Sequence, residues 1–210
     1  MNVNLWGPAL WEVLHGCAYL INENNFKAFN IMMYELNILL PCIHCLRSYR
    51  DFYVPLPTQY QGSNIYYMKY VYDLHNMVNN KLDKQKNRPS SNPSFEVIKK
   101  RAALSEGHPF SKASAWKAIF AIALACTNVK SFSSFIENFA AIVTQKYYGM
   151  SQALHKLYIH LACTRINDTK ELFLICAMAR NGNNVELAME SYSVYIQNMP
   201  AGSCGSLTCA

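Results

Sequence analysis

Cys42 and Cys45 form a Cys-x-x-Cys pair that directly follows Pro41. Proline suits the first turn of a helix, where its missing N–H costs no hydrogen bond, so we expect the pair to begin a helix near the positive end of its dipole. That position lowers the pKa of a thiol and supplies the thiolate that thiol–disulfide exchange requires. A Cys-x-x-Cys pair is equally often half of a zinc site. The pair alone therefore leaves redox chemistry and metal binding open.

The segment before the pair, residues 5–21, predicts a helix that begins at Gly7-Pro8. Trp11 and His15 are four residues apart in this segment and therefore share one helix face. A lone histidine on an apolar helix is more often a packed core residue than a ligand. The segment by itself leaves both interpretations of His15 open.

The segment after the pair, residues 65–84, predicts an amphipathic helix. A polar band containing His75, Asn76 and Asn79 runs beside its apolar stripe, to which Val78 belongs. Such a band is either a solvated edge of the helix or the lining of a ligand pocket. A third apolar stripe, at 26–40, predicts a core helix before the cysteine pair.

The other six cysteines fall into two classes. Cys204 and Cys209 lie in a Gly/Ser-rich segment, residues 201–210, which we interpret as a flexible tail. The remaining four lie on apolar helical stretches and are interpreted as small buried hydrophobic residues: Cys17, Cys126, Cys163 and Cys176.

The composition excludes several classes of protein. With 210 residues, of which 51% are hydrophobic, the chain can bury a core as one large or two small domains. The net charge of +6 comes mainly from scattered lysines and arginines, so nucleic-acid binding has little support. A signal peptide and an apolar run of about 20 residues are both missing, so we expect no membrane association and a cytoplasmic protein.

Two loops suggest how the chain divides. Residues 85–94 form a polar loop, and a Gly-x-Pro stretch near 105–109 ends the part that carries the polar band. We therefore predict one domain at 1–105, a second helical domain of four apolar helices at 106–200, and the tail at 201–210. Hardly any strand pattern occurs, so the fold class is predicted to be all-α.

The second half of the chain contains a segment that is similar in sequence to one in the first half. Residues 115–120 and 132–135 resemble residues 10–15 and 26–29 at nearly equal spacing, with Phe120 in place of His15 and with no cysteine pair. One hypothesis is a degenerate repeat that packs on the first half as a pseudo-partner. The alternative is an unrelated helical domain, because two helices with the same apolar periodicity can resemble each other in sequence by chance.

Three blocks carry a family resemblance: residues 6–15, 41–45 and 74–84. In order and spacing they resemble the Erv/ALR family of FAD-linked sulfhydryl oxidases, and among these the members encoded by large DNA viruses. The resemblance covers roughly residues 5–100. It implies a four-helix bundle with a short fifth helix, FAD as a non-covalent cofactor, and no metal.

The resemblance also implies roles for individual residues. Trp11 and His15 match residues that pack around the flavin and adenine, Cys45 would face the flavin, and lysines would lie near the phosphates. The full set implied to bind the cofactor is Gly7, Trp11, His15, Tyr19, Cys45, His75, Asn76, Val78, Asn79, Lys81 and Lys84. Leu40 stands where several members have an aromatic residue, and Tyr72 where many have a structural cysteine.

The resulting expectation is a thiol oxidase. A dithiol protein substrate would reduce a Cys204–Cys209 shuttle or attack Cys42 directly, as the more exposed member of the redox pair; Cys45 would then pass electrons to FAD, and O2 would be reduced to H2O2. The chain would form either a homodimer or an internal pseudo-dimer. The alternatives are a zinc-binding interaction module built on Cys42, Cys45 and a histidine, a flavin-free thiol–disulfide carrier, and a flavin-loaded scaffold without activity.

Overall fold

The computed structural model describes residues 3–56, 63–90, 92–104, 109–143 and 147–197. These residues form ten α-helices and no β-strand, which confirms the predicted all-α fold. In chain order the helices are α1 (Val3–Tyr19), α2 (Phe26–Leu39), α3 (Ile43–Phe52), α4 (Asn64–Gln85), α5 (Phe95–Leu104), α6 (Lys112–Ala125), α7 (Val129–Val143), α8 (Tyr148–Cys163), α9 (Thr169–Arg180) and α10 (Val185–Gln197). The predicted shuttle cysteines, Cys204 and Cys209, lie outside the described residues.

The first half contains the predicted four-helix bundle and short fifth helix. α1 packs against α4, α2 against α3, α3 against α4, and α5 against α4. The apolar stripe of α2 is buried, with Phe29, Met33 and Leu36 fully enclosed, because its spacing keeps these side chains on one face. On α4, Val78 of the predicted apolar stripe is only half-buried, and so is Leu82 one turn later. That part of the helix faces the cavity described below.

α1 begins one turn earlier than predicted. The sequence pattern predicts Gly7-Pro8 as the helix start, but the helix begins at Val3 and Pro8 lies inside it. A proline in the second turn loses one backbone hydrogen bond. The extra turn compensates by burying Trp6, which is 3% exposed.

The second half contains one helix more than predicted within the described residues. The sequence pattern indicates four helices, whereas the structure has five, α6 to α10. α10 escaped prediction because Ala188 is its one buried residue. Cys163 also differs from its prediction as a buried residue, because it ends α8 and is exposed; Cys17, Cys126 and Cys176 are buried as expected. None of the helices in the described ranges is apolar and long enough to span a bilayer.

Corresponding helices of the two halves pack on one another. α1 packs against α6 and α2 against α7, and buried side chains from Trp6 to Ala188 form one continuous core. In the second half α6 packs against α9, α7 against α8, α8 against α9, and α9 against α10. These contacts repeat those of the first half when α1–α5 are matched in order with α6–α10. The predicted domain border falls at residues 105–108, outside the described ranges, and stays a prediction.

Two further contacts attach α1 to the second half. Gly16 leaves space for the ring of Phe110, since a Cβ atom at residue 16 would lie 2.3 Å from Phe110 Cδ1. One turn earlier, the carboxylate of Glu12 accepts hydrogen bonds from the Ser111 backbone N–H and the Ser114 hydroxyl, each at 2.6 Å. Glu12 therefore binds the first turn of α6, where a negative charge is favoured by the helix dipole.

Candidate active site

A cavity of about 1040 Å³ lies between α1, α3 and α4 and is bordered by residues of α2 and α5. Most of the predicted cofactor-binding residues line it: Gly7, Trp11, His15, Cys45, His75, Asn76, Val78, Asn79 and Lys81. Tyr19, Lys84 and Cys42 are not among the lining residues. Tyr19 ends α1, where its carbonyl accepts a hydrogen bond from Asn64 at 3.3 Å, and Lys84 is exposed on another face of α4. The structure thus brings together the helix faces that the sequence predicts. Tyr19 and Lys84 lie outside the cavity that these faces form.

Trp11, His15 and His75 form an aromatic group in the cavity wall. The Trp11 ring stacks on His75 with centroids 4.0 Å apart and planes 7° apart. His15 Nε2 and His75 Nδ1 are 3.0 Å apart, so one ring donates a hydrogen bond to the other. Burial lowers the pKa of each histidine from 6.5 to about 4, and the adjacent His75 contributes to the lowering at His15. At neutral pH both rings are therefore uncharged.

The cysteine pair lies at the start of α3, as predicted. Cys42 is the N-cap residue, and its Sγ accepts a hydrogen bond from the Cys45 N–H at 3.4 Å. Pro41 precedes the cap rather than occupying the first turn. Cys45 is the third helical residue, close to the positive end of the α3 dipole, which favours a thiolate.

The exposure of the two cysteines is the reverse of the prediction. Cys42 is 0% exposed, whereas Cys45 is half-buried and lines the cavity. The prediction that Cys42 is the more exposed member is therefore wrong for this structure. Cys42 is buried because its side chain belongs to the hydrophobic core, where α3 packs on α2.

A polar link connects α4 with α3 next to Cys45. The Lys81 ammonium donates a hydrogen bond to the Ser48 hydroxyl, and the Ser48 hydroxyl donates to the His44 carbonyl at 2.9 Å. Ser48 is only 7% exposed. The lysine is therefore tied to the helix that carries the redox pair.

The rim of the cavity is fixed by the loop that joins α4 to α5. Asn79 Nδ2 donates to Asn92 Oδ1 at 2.8 Å, and the Tyr72 hydroxyl donates to the Pro93 carbonyl at 3.0 Å. Tyr72 occupies the position where many members of the resembled family have a cysteine. Its hydrogen bond attaches this loop to the cavity wall without a disulfide.

Sequence reasoning missed several lining residues, namely Trp6, Arg47, Ser48, Lys86 and Arg101. Ser48 could have been found, because it follows Cys45 by three residues on one helix and so shares its face. Arg101 reaches the cavity through the packing of α5 on α4, which no local pattern encodes.

The charge and chemistry of the lining fit a flavin dinucleotide. Its cations outnumber its carboxylates: Arg47, Lys81, Lys86 and Arg101 against Glu12 and Asp51. A net positive wall attracts an anion such as a pyrophosphate, and the stacked Trp11–His75 pair offers a flat surface to an aromatic ring. Trp6, also in the wall, has a buried Nε1 that lacks a hydrogen-bond partner among the described residues. The residues present therefore suit FAD.

The described residues contain no cluster of side chains that is suited to a metal ion. Within the described ranges, no group of three or more His, Cys, Asp or Glu side chains could hold a metal ion. The zinc alternative requires such a group from Cys42, Cys45 and a histidine, and the described residues do not form it.

Comparison with known proteins identifies the first half. Residues 8–102 match the model of the Erv1 / Alr family. Neither the curated proteins nor the solved structures gave a match to the chain. The matched range contains the whole cavity lining from Pro8 to Arg101, including the cysteine pair and the two histidines. The match of residues 8–102 to the Erv1 / Alr family model therefore confirms the resemblance that the sequence blocks predict.

Proposed function

We propose that the protein is an FAD-dependent sulfhydryl oxidase that forms disulfide bonds in protein substrates. The family is in general one of FAD-linked sulfhydryl oxidases. The observation that carries the proposal is that Cys45 lines the same cavity as Trp11, His15 and His75. One cavity thus combines a dithiol with surfaces suited to a flavin.

The proposed residue roles follow from the cavity lining. Trp11 and His75 bind aromatic rings by stacking, and uncharged histidines keep that part of the wall free of repulsion with the cations nearby. Arg47 and Arg101 bind phosphate oxygens. Bound FAD supplies a two-electron acceptor that O2 reoxidises, with H2O2 as product.

The substrate step is thiol–disulfide exchange. A substrate thiolate attacks Cys42 Sγ of the oxidised pair, a mixed disulfide forms, and the Cys42–Cys45 bond breaks with its electron pair on Cys45 Sγ. The second substrate thiol then releases the substrate disulfide and leaves both cysteines reduced. Because Cys42 is 0% exposed, we propose that the turn at Leu40-Pro41 opens locally to admit the substrate.

Cys204 and Cys209 are proposed to form a shuttle disulfide between protein substrates and Cys42. This proposal rests on their spacing in a Gly/Ser-rich segment and on the mobile cysteine pairs that the resemblance implies. Replacing both by serine should slow the oxidation of a reduced protein and spare that of dithiothreitol. Equal losses on both substrates would contradict a shuttle.

The second half is proposed to act as an internal pseudo-partner. The packing of α1 on α6 and of α2 on α7, together with the matching contact order of the two halves, supports this proposal. The chain should then be a monomer in light scattering at all concentrations tested. A dimer that dissociates on dilution would contradict it.

The decisive experiment is an absorption spectrum of the purified protein followed by oxygen consumption with dithiothreitol. We expect a flavin spectrum and turnover that Cys45→Ser abolishes while the flavin remains bound. Cys163→Ser, an exposed cysteine on α8, is the matched control and should keep full activity. A protein that neither contains flavin nor binds added FAD would refute the proposal. Bound flavin with no turnover would support the alternative of a flavin-loaded scaffold without activity.

A further inference from the structure

Ser48 joins two groups that the proposed reaction uses. Its buried hydroxyl accepts a hydrogen bond from the Lys81 ammonium and donates one to the His44 carbonyl, inside the Cys-x-x-Cys turn. Ser48 and Cys45 are three residues apart on α3, so their Cβ atoms lie about 5–6 Å apart on one face. The lysine charge is thereby held about one helical turn from Cys45.

We propose that Ser48 is a positioning residue, which holds the Lys81 ammonium beside Cys45 and so favours the Cys45 thiolate. A lysine side chain has four flexible carbon atoms and otherwise samples many positions in water. A hydrogen bond to the hydroxyl of Ser48, a residue that is 7% exposed, restricts the ammonium to the α3 side of the cavity. The cation and the α3 dipole then act on the same sulfur in the same direction.

The consequence concerns the leaving group of the exchange step. When a thiolate attacks Cys42 Sγ, the electron pair of the broken S–S bond goes to Cys45 Sγ, and a leaving thiol of lower pKa departs faster. This consequence rests on the proposed oxidase function. The effect of Ser48 on the Cys45 thiolate does not rest on it and can be measured without turnover.

Other ionisable groups surround Cys45 and must be separated from the effect of Ser48. Those that line the same cavity are Glu12 and His15 on α1, His44, Arg47, Tyr49 and Asp51 on α3, Tyr72, His75 and Lys81 on α4, Lys86 after it, and Arg101 on α5. The pKa of both buried histidines is about 4, so they stay neutral above pH 6. The remaining groups are shared by all variants compared below, so a difference between those variants isolates the Ser48–Lys81 link.

The test measures the rate of iodoacetamide alkylation of Cys45 against pH, in the full chain and by mass spectrometry of the peptide. A Cys42→Ser background leaves one reactive cysteine in that peptide, and serine retains the N-cap. In this background we expect Ser48→Ala to raise the pH midpoint of alkylation by about half a unit to one unit. Ser48→Thr keeps the hydroxyl and should keep the midpoint. Ser131→Ala removes an equally buried serine from α7 and should change nothing.

Lys81 provides the second arm of the test. Lys81→Met should raise the midpoint at least as much as Ser48→Ala does, and the two changes combined should raise it no further than Lys81→Met does. Additive shifts of the midpoint would overturn the positioning role. A shift in Lys81→Met together with no shift in Ser48→Ala would also overturn it. Unchanged midpoints in all variants would overturn it as well. Because no flavin is required, these outcomes are independent of whether the protein proves to be an oxidase.

Discussion

Acid should destabilise the protein through the contact between His15 and His75. The pKa of each ring is about 4 in the folded chain, against 6.5 for an unperturbed histidine, chiefly because burial disfavours the charged form. Between these two pH values the unfolded chain binds more protons than the folded one. The free energy of unfolding therefore has its full value above pH 6.5 and decreases as the pH falls towards 4.

The size of the effect follows from the same values. A pKa difference of about 2.5 units corresponds to about 3 kcal/mol for each histidine once both states are protonated. At pH 5, where the folded rings are still mostly neutral, the loss is about 2 kcal/mol for each. Protonating both rings is unfavourable as well, because the facing nitrogens are 3.0 Å apart.

Urea unfolding at pH 7 and pH 5 measures this loss. His75→Gln removes one titrating ring and keeps a polar group that can bond His15, so the loss between the two pH values should decrease by about 2 kcal/mol. His155→Gln replaces an exposed histidine on α8 and should leave the loss as it is in the natural sequence. If both variants lose as much stability as the natural protein, the reasoning from burial is wrong.

Three further changes test the packing around α1. Gly16→Ala should lower the free energy of unfolding by about 1–3 kcal/mol in chemical denaturation, because the new methyl group overlaps the buried ring of Phe110; unchanged stability would mean that the ring moves freely. Glu12→Ala should cost about 1 kcal/mol at low salt, through the lost hydrogen bonds to Ser111 and Ser114, and an equal cost at 1 M salt would contradict a charge effect. Trp6→Phe keeps most of the packing and removes a donor that lacks a partner among the described residues, so its free-energy cost should be larger for FAD binding, measured in a titration, than for unfolding; the opposite order would make the donor irrelevant to the cofactor.

Helical periodicity explains which parts of the site could be predicted. Spacing alone places His15, His75 and Asn79 on predicted helix faces, and these faces meet in one cavity together with Cys45. The prediction for Lys84 rests on the family motif alone. It lies five residues after Asn79, about 140° around α4, and therefore points elsewhere.

Features that depend on contacts between helices could not be predicted. The burial of Cys42 depends on how the N-cap turn of α3 packs on α2, and the contribution of Arg101 depends on the position of α5. α10 was missed because a helix with one buried residue, Ala188, carries too weak an apolar stripe. The sequence thus predicts the helix faces, and tertiary packing determines the depth and the rim of the cavity.

The packing of α1 on α6 and of α2 on α7 determines how the cavity responds when the protein is diluted. Where two separate subunits support each other's binding site, mass action makes the fraction assembled depend on protein concentration. In this chain the supporting helices follow in the same polypeptide, so their effective concentration is set by the connecting segment and not by expression level. The cavity between α1, α3 and α4 should therefore keep its supporting helices at nanomolar abundance as well as at high abundance.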